Sequence, residues 1–192
     1  MTGIVLAGGQ SRRMGTDKAW LDWNGRPLLA RVADALRAAG CADVLVVGGD
    51  AARVAALGLA HVPDGIAGQG PLQGLAAGLL AAASPLALAV ACDMPSLQPQ
   101  ALALLGRLAD GFDAAVPWLD PGGWEPLHAA YSVACLPAIQ RCLRRGDRKM
   151  TAFYEDVRVR RVSAAELSAA DPDLRSLRNV NTPEDLAAAR RQ

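Results

Sequence analysis

Lysine is nearly absent from this chain: of 20 cationic residues, only Lys18 and Lys149 are lysines. Arginine is the default cation, so a lysine marks a place that wants a compact ammonium rather than a planar guanidinium fork. Net charge is scarce too, at +1, and the field of the whole molecule gives no reason to expect nucleic acid or an anionic membrane as partner. Cys41, Cys92, Cys135 and Cys142 are the only cysteines, and no two form C-x-x-C or sit with histidine at zinc-ligand spacing. They read as buried or incidental thiols in a reducing cytosol. The N-terminus carries no basic segment followed by an apolar run and a cleavage site, so no targeting signal is expected. Residues 72–92 form an apolar stretch as long as a membrane span, which needs about 20 residues. Gln73, Ser84 and Pro85 divide it into a helix and a strand, which argues against a span. These shortages point to a soluble cytoplasmic protein, taken as a monomer.

What is present is a globular balance: 52% hydrophobic and 20% charged residues over 192 positions, enough for one substantial core and short for two. Residues 3–7 are a short apolar strand opening into Gly8-Gly9. Residues 27–39 carry Leu28, Leu29, Val32, Ala33 and Leu36 at helical spacing, with Pro27 suited to the first helical position and Gly40 to the end. A buried strand over 43–47, a helix over 51–57, a short strand at 61–62, a small-residue helix over 70–83, a strand over 86–92 and a helix over 98–108 follow. The second half is less regular. Strands are expected at 114–116 and 127–131 around the loop 120–126, then a helix over 137–145, strands at 157–162 and 178–181, and a last helix opened by Thr182-Pro183-Glu184-Asp185. Alternating strands and helices predict an α/β fold of three layers, Rossmann-like, with a mostly parallel central sheet. No repeat or linker divides the chain, so residues 1–192 are read as one domain.

Ligands of such sheets bind beyond the carboxyl ends of the strands. Residues 6–18, LAGGQSRRMGTDK, lie at such an end. Gly8, Gly9 and Gly15 let the backbone approach a ligand closely, and successive N–H groups in such a turn cradle anions. Arg12, Arg13 and Lys18 add three cations within the same stretch, the combination a triphosphate needs. The Walker pattern is absent, because Thr16 and Asp17 separate Gly15 from Lys18, and so is G-x-G-x-x-G. The bland alternative is a plain strand-to-helix turn with solvated arginines. Asp93 ends an apolar strand, where an ionised carboxylate is costly unless paired or metal-bound. Mg²⁺ held by a carboxylate and substrate phosphates fits that place, and a turn before Pro95 is the simpler reading. Asp64 is a candidate for ribose or metal, or again a turn residue.

These residues resemble those of a known family. The loop of residues 6–18 is similar to the LAGG-x-S-x-R-M-G-x-D-K loop of the molybdenum cofactor guanylyltransferases. Asn24-Gly25-Arg26-Pro27-Leu28, Asp64 with Gly70-Pro71-Leu72-Gln73-Gly74, Cys92-Asp93-Met94-Pro95, Gly146-Asp147-Arg148-Lys149 and Asn179-Val180-Asn181-Thr182-Pro183-Glu184-Asp185-Leu186 extend the resemblance along the chain. It implies a nucleotidyltransferase that moves GMP from GTP to molybdenum-molybdopterin and releases pyrophosphate. In it the backbone of Leu6, Ala7, Gly8 and Gly9 would contact GTP, Lys18 would bind phosphates with Arg12 or Arg13, Asp64 would help hold the nucleotide, and Asp93 would bind nucleotide and Mg²⁺. Family members often carry Asn for nucleotide contact where this chain has Gly48. The N-terminal half would bind nucleotide and the C-terminal half the pterin, through Asn179 and Asn181, which on a strand would face the same side.

Arg148 and Lys149 are candidates to hold the incoming phosphate. His128 lies in an E-P-L-H-A segment found in part of the family, which implies a place on the substrate side. On its own, a lone strand histidine is more often structural. Trp118 and Trp124 fit either stacking on a flat pterin or packing. Transient contact with cofactor-biosynthesis or acceptor enzymes is expected. A related enzyme using CTP or a sugar-phosphate acceptor, and a non-catalytic nucleotide-binding or cofactor-handling module, remain open at this point.

Overall fold

The computed structural model describes residues 1–8, 17–65 and 70–190. Ten strands and seven α-helices follow one another among the described residues. They are β1 (Thr2–Leu6), β2 (Asp22–Trp23), β3 (Arg26–Pro27), α1 (Leu28–Ala38), β4 (Asp43–Val47), α2 (Ala51–Ala56), β5 (Ala60–Val62), α3 (Pro71–Ala81), β6 (Leu86–Ala91) and α4 (Pro99–Leu108). Then come β7 (Ala114–Leu119), β8 (Gly123–Trp124), β9 (His128–Ser132), α5 (Leu136–Arg144), β10 (Val159–Ser163), α6 (Ala164–Ser168) and α7 (Pro183–Arg190).

Strands from both halves share one sheet, ordered β10-β7-β9-β6-β1-β4-β5, with β8 paired to β7. β1 runs parallel to β4 and β6, β4 to β5 and β10 to β7; β9 is antiparallel to both neighbours. The sheet is therefore mostly parallel, as expected. Central strands β1 and β6 are buried along nearly all their length because helices cover both faces. One face packs α1, α4 and α6 through residues such as Leu36, Leu102 and Leu167. The other packs α3 and α5 through residues such as Leu75, Leu79 and Ile139. The small residues of α3 have a job: a Cβ on Gly78 would lie 2.7 Å from Ile4 Cγ2, so glycine lets this helix sit close on β1.

Three local readings change. The β2–β3 hairpin was not foreseen, although Asn24 and Gly25 take φ of 51° and 83°, the conformation Asn-Gly adopts in tight hairpins. Helix α6 was also missed; Ser163 and Glu166 cap it reciprocally, a signal present in the sequence. The strand expected over 178–181 does not form. That segment makes one ladder-like bond, Val180 N–H to the Asp93 carbonyl at 2.8 Å, too little to extend the sheet. Alternation survives without the ladder: Val180 is buried while Asn179 and Asn181 are exposed. The last helix does begin as expected, with the Thr182 hydroxyl accepting from Asp185 N–H at 3.1 Å.

Candidate functional site

The site forms where β1, β4 and β6 end. Cys92 N–H donates to the Leu6 carbonyl and Ala7 N–H to the Val47 carbonyl, so the three strand exits are tied together. Gly48 follows β4 with φ +78°, and a Cβ there would lie 3.0 Å from Gly8 Cα and 3.5 Å from Asp64 Oδ2. An asparagine at this position would force Gly8 aside. The departure from the family's usual residue is thus built into the backbone contact. Asp64 is partly buried beside Gly8, with Oδ2 2.9 Å from where a Cβ on Gly8 would be.

Lys18 is set by local structure. Asp17 caps a short 3₁₀ turn of residues Lys18–Trp20, its carboxylate accepting from Ala19 N–H at 3.1 Å, and Ala19 is fully buried. The Lys18 ammonium donates to Asp93 Oδ2 at 2.8 Å and to Asn181 Oδ1 at 2.7 Å. Residues 75 and 163 positions away in sequence thereby meet one cation. The pair is largely enclosed, with side-chain exposures of 18% for Lys18 and 16% for Asp93. The other oxygen, Asp93 Oδ1, is buried and has no hydrogen-bond partner among the described residues.

That orphaned oxygen is what a divalent cation needs. No cluster of three or more His, Cys, Asp or Glu capable of holding a metal exists among the described residues. One anionic oxygen from the protein suits a hard ion that completes its shell with phosphate and water. The residues present therefore fit the implied Mg²⁺.

The remaining expectations divide. Gly9, Arg12 and Arg13 lie outside the described residues. Arg148 and Lys149 are exposed, form no ion pair with a described residue, and follow the bend at Gly146; the Arg148 carbonyl is 4.0 Å from where a Cβ on Gly70 would be. That contact brings the basic segment against the start of α3. Asn181 is at the site through Lys18, whereas Asn179 is exposed beside it.

His128 is 0% exposed, neither ring nitrogen has a partner among the described residues, and burial pushes its pKa down to about 4, so the imidazole is neutral and interior, as the structural alternative expects. Trp118 and Trp124 pack edge-to-face at 5.0 Å, Trp124 continues onto Tyr154 at 5.3 Å, and the Arg161 guanidinium covers Trp118 at 4.1 Å. Their rings are engaged with one another, the packing alternative. Sequence reading missed the anchor of the C-terminal segment. The Asp185 carboxylate accepts from the backbone N–H of Asn181 and Thr182, both at 2.9 Å, and these bonds hold its pKa below the ordinary value. The acidic first turn was the available signal, read only as a complement to the helix dipole.

A lysine–aspartate pair at the strand ends of a three-layer, mostly parallel sheet fits the nucleotidyltransferase class. Within it the chain belongs to the MobA-like NTP transferase domain family, whose model matches residues 3–162. A protein of Pelotomaculum thermopropionicum named "Probable molybdenum cofactor guanylyltransferase" is 44% identical over 98% of this chain and 91% of its own length. A molybdenum cofactor guanylyltransferase of Desulfosudis oleivorans is 38% identical over 98% and 94%. The crystal structure of molybdopterin-guanine dinucleotide biosynthesis protein A from Archaeoglobus fulgidus superposes with a TM-score of 0.84 at 28% identity, covering 100% of this chain and 97% of that one.

Proposed function

We propose that this chain transfers GMP from GTP to molybdenum-molybdopterin, forming the guanine dinucleotide cofactor and releasing pyrophosphate. The observation that carries the reading is the Lys18–Asp93 pair at 2.8 Å beside an unpartnered Asp93 Oδ1, in a chain of the MobA-like family. Gly8, Gly48 and Asp64 pack against one another at the strand ends, and the backbone of Gly8 with the Asp64 carboxylate would meet the nucleotide there. Lys18, with Arg12 and Arg13, would neutralise the phosphates. Asp93 would hold Mg²⁺ through its free oxygen. Bound there, the ion supplies charge neutralisation on phosphate oxygens.

The terminal phosphate of molybdopterin would attack the α-phosphorus. The new phosphoanhydride forms as the α–β bond breaks, and the electron pair leaves with pyrophosphate. An already anionic nucleophile needs no protein base, so the chain contributes position and electrostatics. Arg148 and Lys149 would hold the incoming phosphate from the C-terminal side. The setting would be the cytosol, with reduced thiols: all four cysteines are free, and burial raises Cys92 to about 12. No helix among the described residues is long and apolar enough to cross a membrane. The test is pyrophosphate release from GTP and CTP with molybdopterin supplied. Turnover with GTP is expected; a preference for CTP would overturn the guanylyl assignment, and no turnover with either would overturn the enzyme reading.

A further inference from the structure

We propose that Asn181 is a positioning residue for Lys18: the C-terminal strap, residues 178–190, fixes the ammonium before any acceptor is present. The inference rests on the reading of Lys18 as the phosphate cation and adds a role for Asn181 distinct from touching the pterin.

An ammonium has three donors and no acceptor, so the amide turns its oxygen toward Lys18, at 2.7 Å. A long lysine stem is otherwise free to wander. Asn181 is itself held without help from a substrate. Its N–H goes to Asp185, the preceding Val180 is 2% exposed, and Val180 N–H bonds the Asp93 carbonyl at 2.8 Å. At the far end, the Arg190 guanidinium donates to the Asp22 carbonyl and carboxylate on the β2–β3 hairpin. The strap is thus tied to the N-terminal half at two points, Asp93 and Asp22.

The choice of an amide has a chemical reason. When Asp93 turns its charge to a divalent cation, its attraction for Lys18 weakens. Asn181 is neutral and keeps accepting, so the ammonium stays beside the incoming phosphates. A carboxylate here would compete with phosphate for the lysine, and an alanine would release it. Seating of the strap is therefore coupled to nucleotide affinity.

Calorimetric titration of the full chain with Mg-GTP and with Mg-pyrophosphate, no molybdopterin present, tests this. Asn181→Ala is expected to weaken both about tenfold, and Lys18→Ala more, while Asn181→Ala adds nothing in the Lys18→Ala background, as a shared interaction requires. Asp185→Ala, which loosens the strap without touching the ammonium, should move affinity in the same direction by less, and Asn181→Gln should restore part of it. These two variants carry the test if circular dichroism shows Asn181→Ala unfolded. Asn181→Ala binding both probes like wild type while losing acceptor-dependent turnover would place Asn181 on the acceptor alone and overturn the proposal. Additive losses in the double variant would overturn it as well. Wild-type chain that binds neither probe defeats the nucleotide-site reading and this inference with it, a result distinguishable from the first.

Discussion

The two halves of the chain present different materials: close-packed backbone in the N-terminal half and exposed polar side chains in the C-terminal half. The N-terminal half brings backbone, at Gly8 and Gly48, where a side chain would meet another strand exit at about van der Waals distance or less. The C-terminal half offers the exposed cations Arg148 and Lys149, on a segment outside regular strands. Backbone surfaces are rigid and suit a substrate that is always the same. On the proposed reading, long polar side chains would adjust to a bulky acceptor that must enter and leave. Lys18 and Asp93 stand between, with Asn181 as the bridge.

The largest expected break removes what both halves share. Asp93→Ala should lower turnover about a thousandfold, roughly 4 kcal/mol of transition-state stabilisation, in steady-state pyrophosphate release. Near-normal Mg²⁺-dependent rates would take Asp93 out of the site. The next effect separates buried from exposed within the C-terminal half. His128 has its folded pKa depressed from 6.5 to about 4 by burial, so its contribution is present above pH 6.5 and lost as pH falls through 4. Wild type should lose about 3 kcal/mol between pH 7 and pH 4 that His128→Leu does not, in denaturant melts at each pH. Parallel pH curves would mean the imidazole is solvated.

A smaller effect tests the backbone side directly. Gly48→Ala places a side chain at φ +78° and 3.0 Å from Gly8, so it should cost about 2 kcal/mol of stability and weaken GTP binding. The KM for the acceptor should stay near wild type; a rise there instead would undo the division between the halves. Smallest is the reach side. Arg148→Ala should raise the acceptor KM about tenfold, roughly 1.4 kcal/mol, and leave Mg-GTP affinity unchanged by calorimetry. Loss of GTP affinity in that variant would assign Arg148 to the nucleotide.

Much of this site could be read before any coordinates. Lys18 was marked by the rarity of its residue type, and Asp93 by its place after an apolar run, since burial makes an unpaired carboxylate costly. The hydrophobic periods of β1, β4, β6 and the helices between them required a covered parallel sheet. Legibility fell in the second half. The segment 178–181 has strand-like alternation, but a ladder needs a partner strand, and alternation cannot supply one. His128 sits in a short apolar strand whose two faces both turn out to be covered, so its neighbours gave no clue to its exposure.

Sequence by itself determined most of the elements of the first half, the glycine-rich exit of β1 and the charged residues that stand out, because these follow from local sterics and from the cost of burying charge. Only the tertiary structure decided that Lys18, Asp93 and Asn181 share one set of hydrogen bonds. It also decided that a side chain on Gly48 would crowd Gly8, and that Trp118 and Trp124 pack edge-to-face, with Arg161 over Trp118. Those facts depend on distances between residues far apart in the chain, and no local periodicity encodes such a distance.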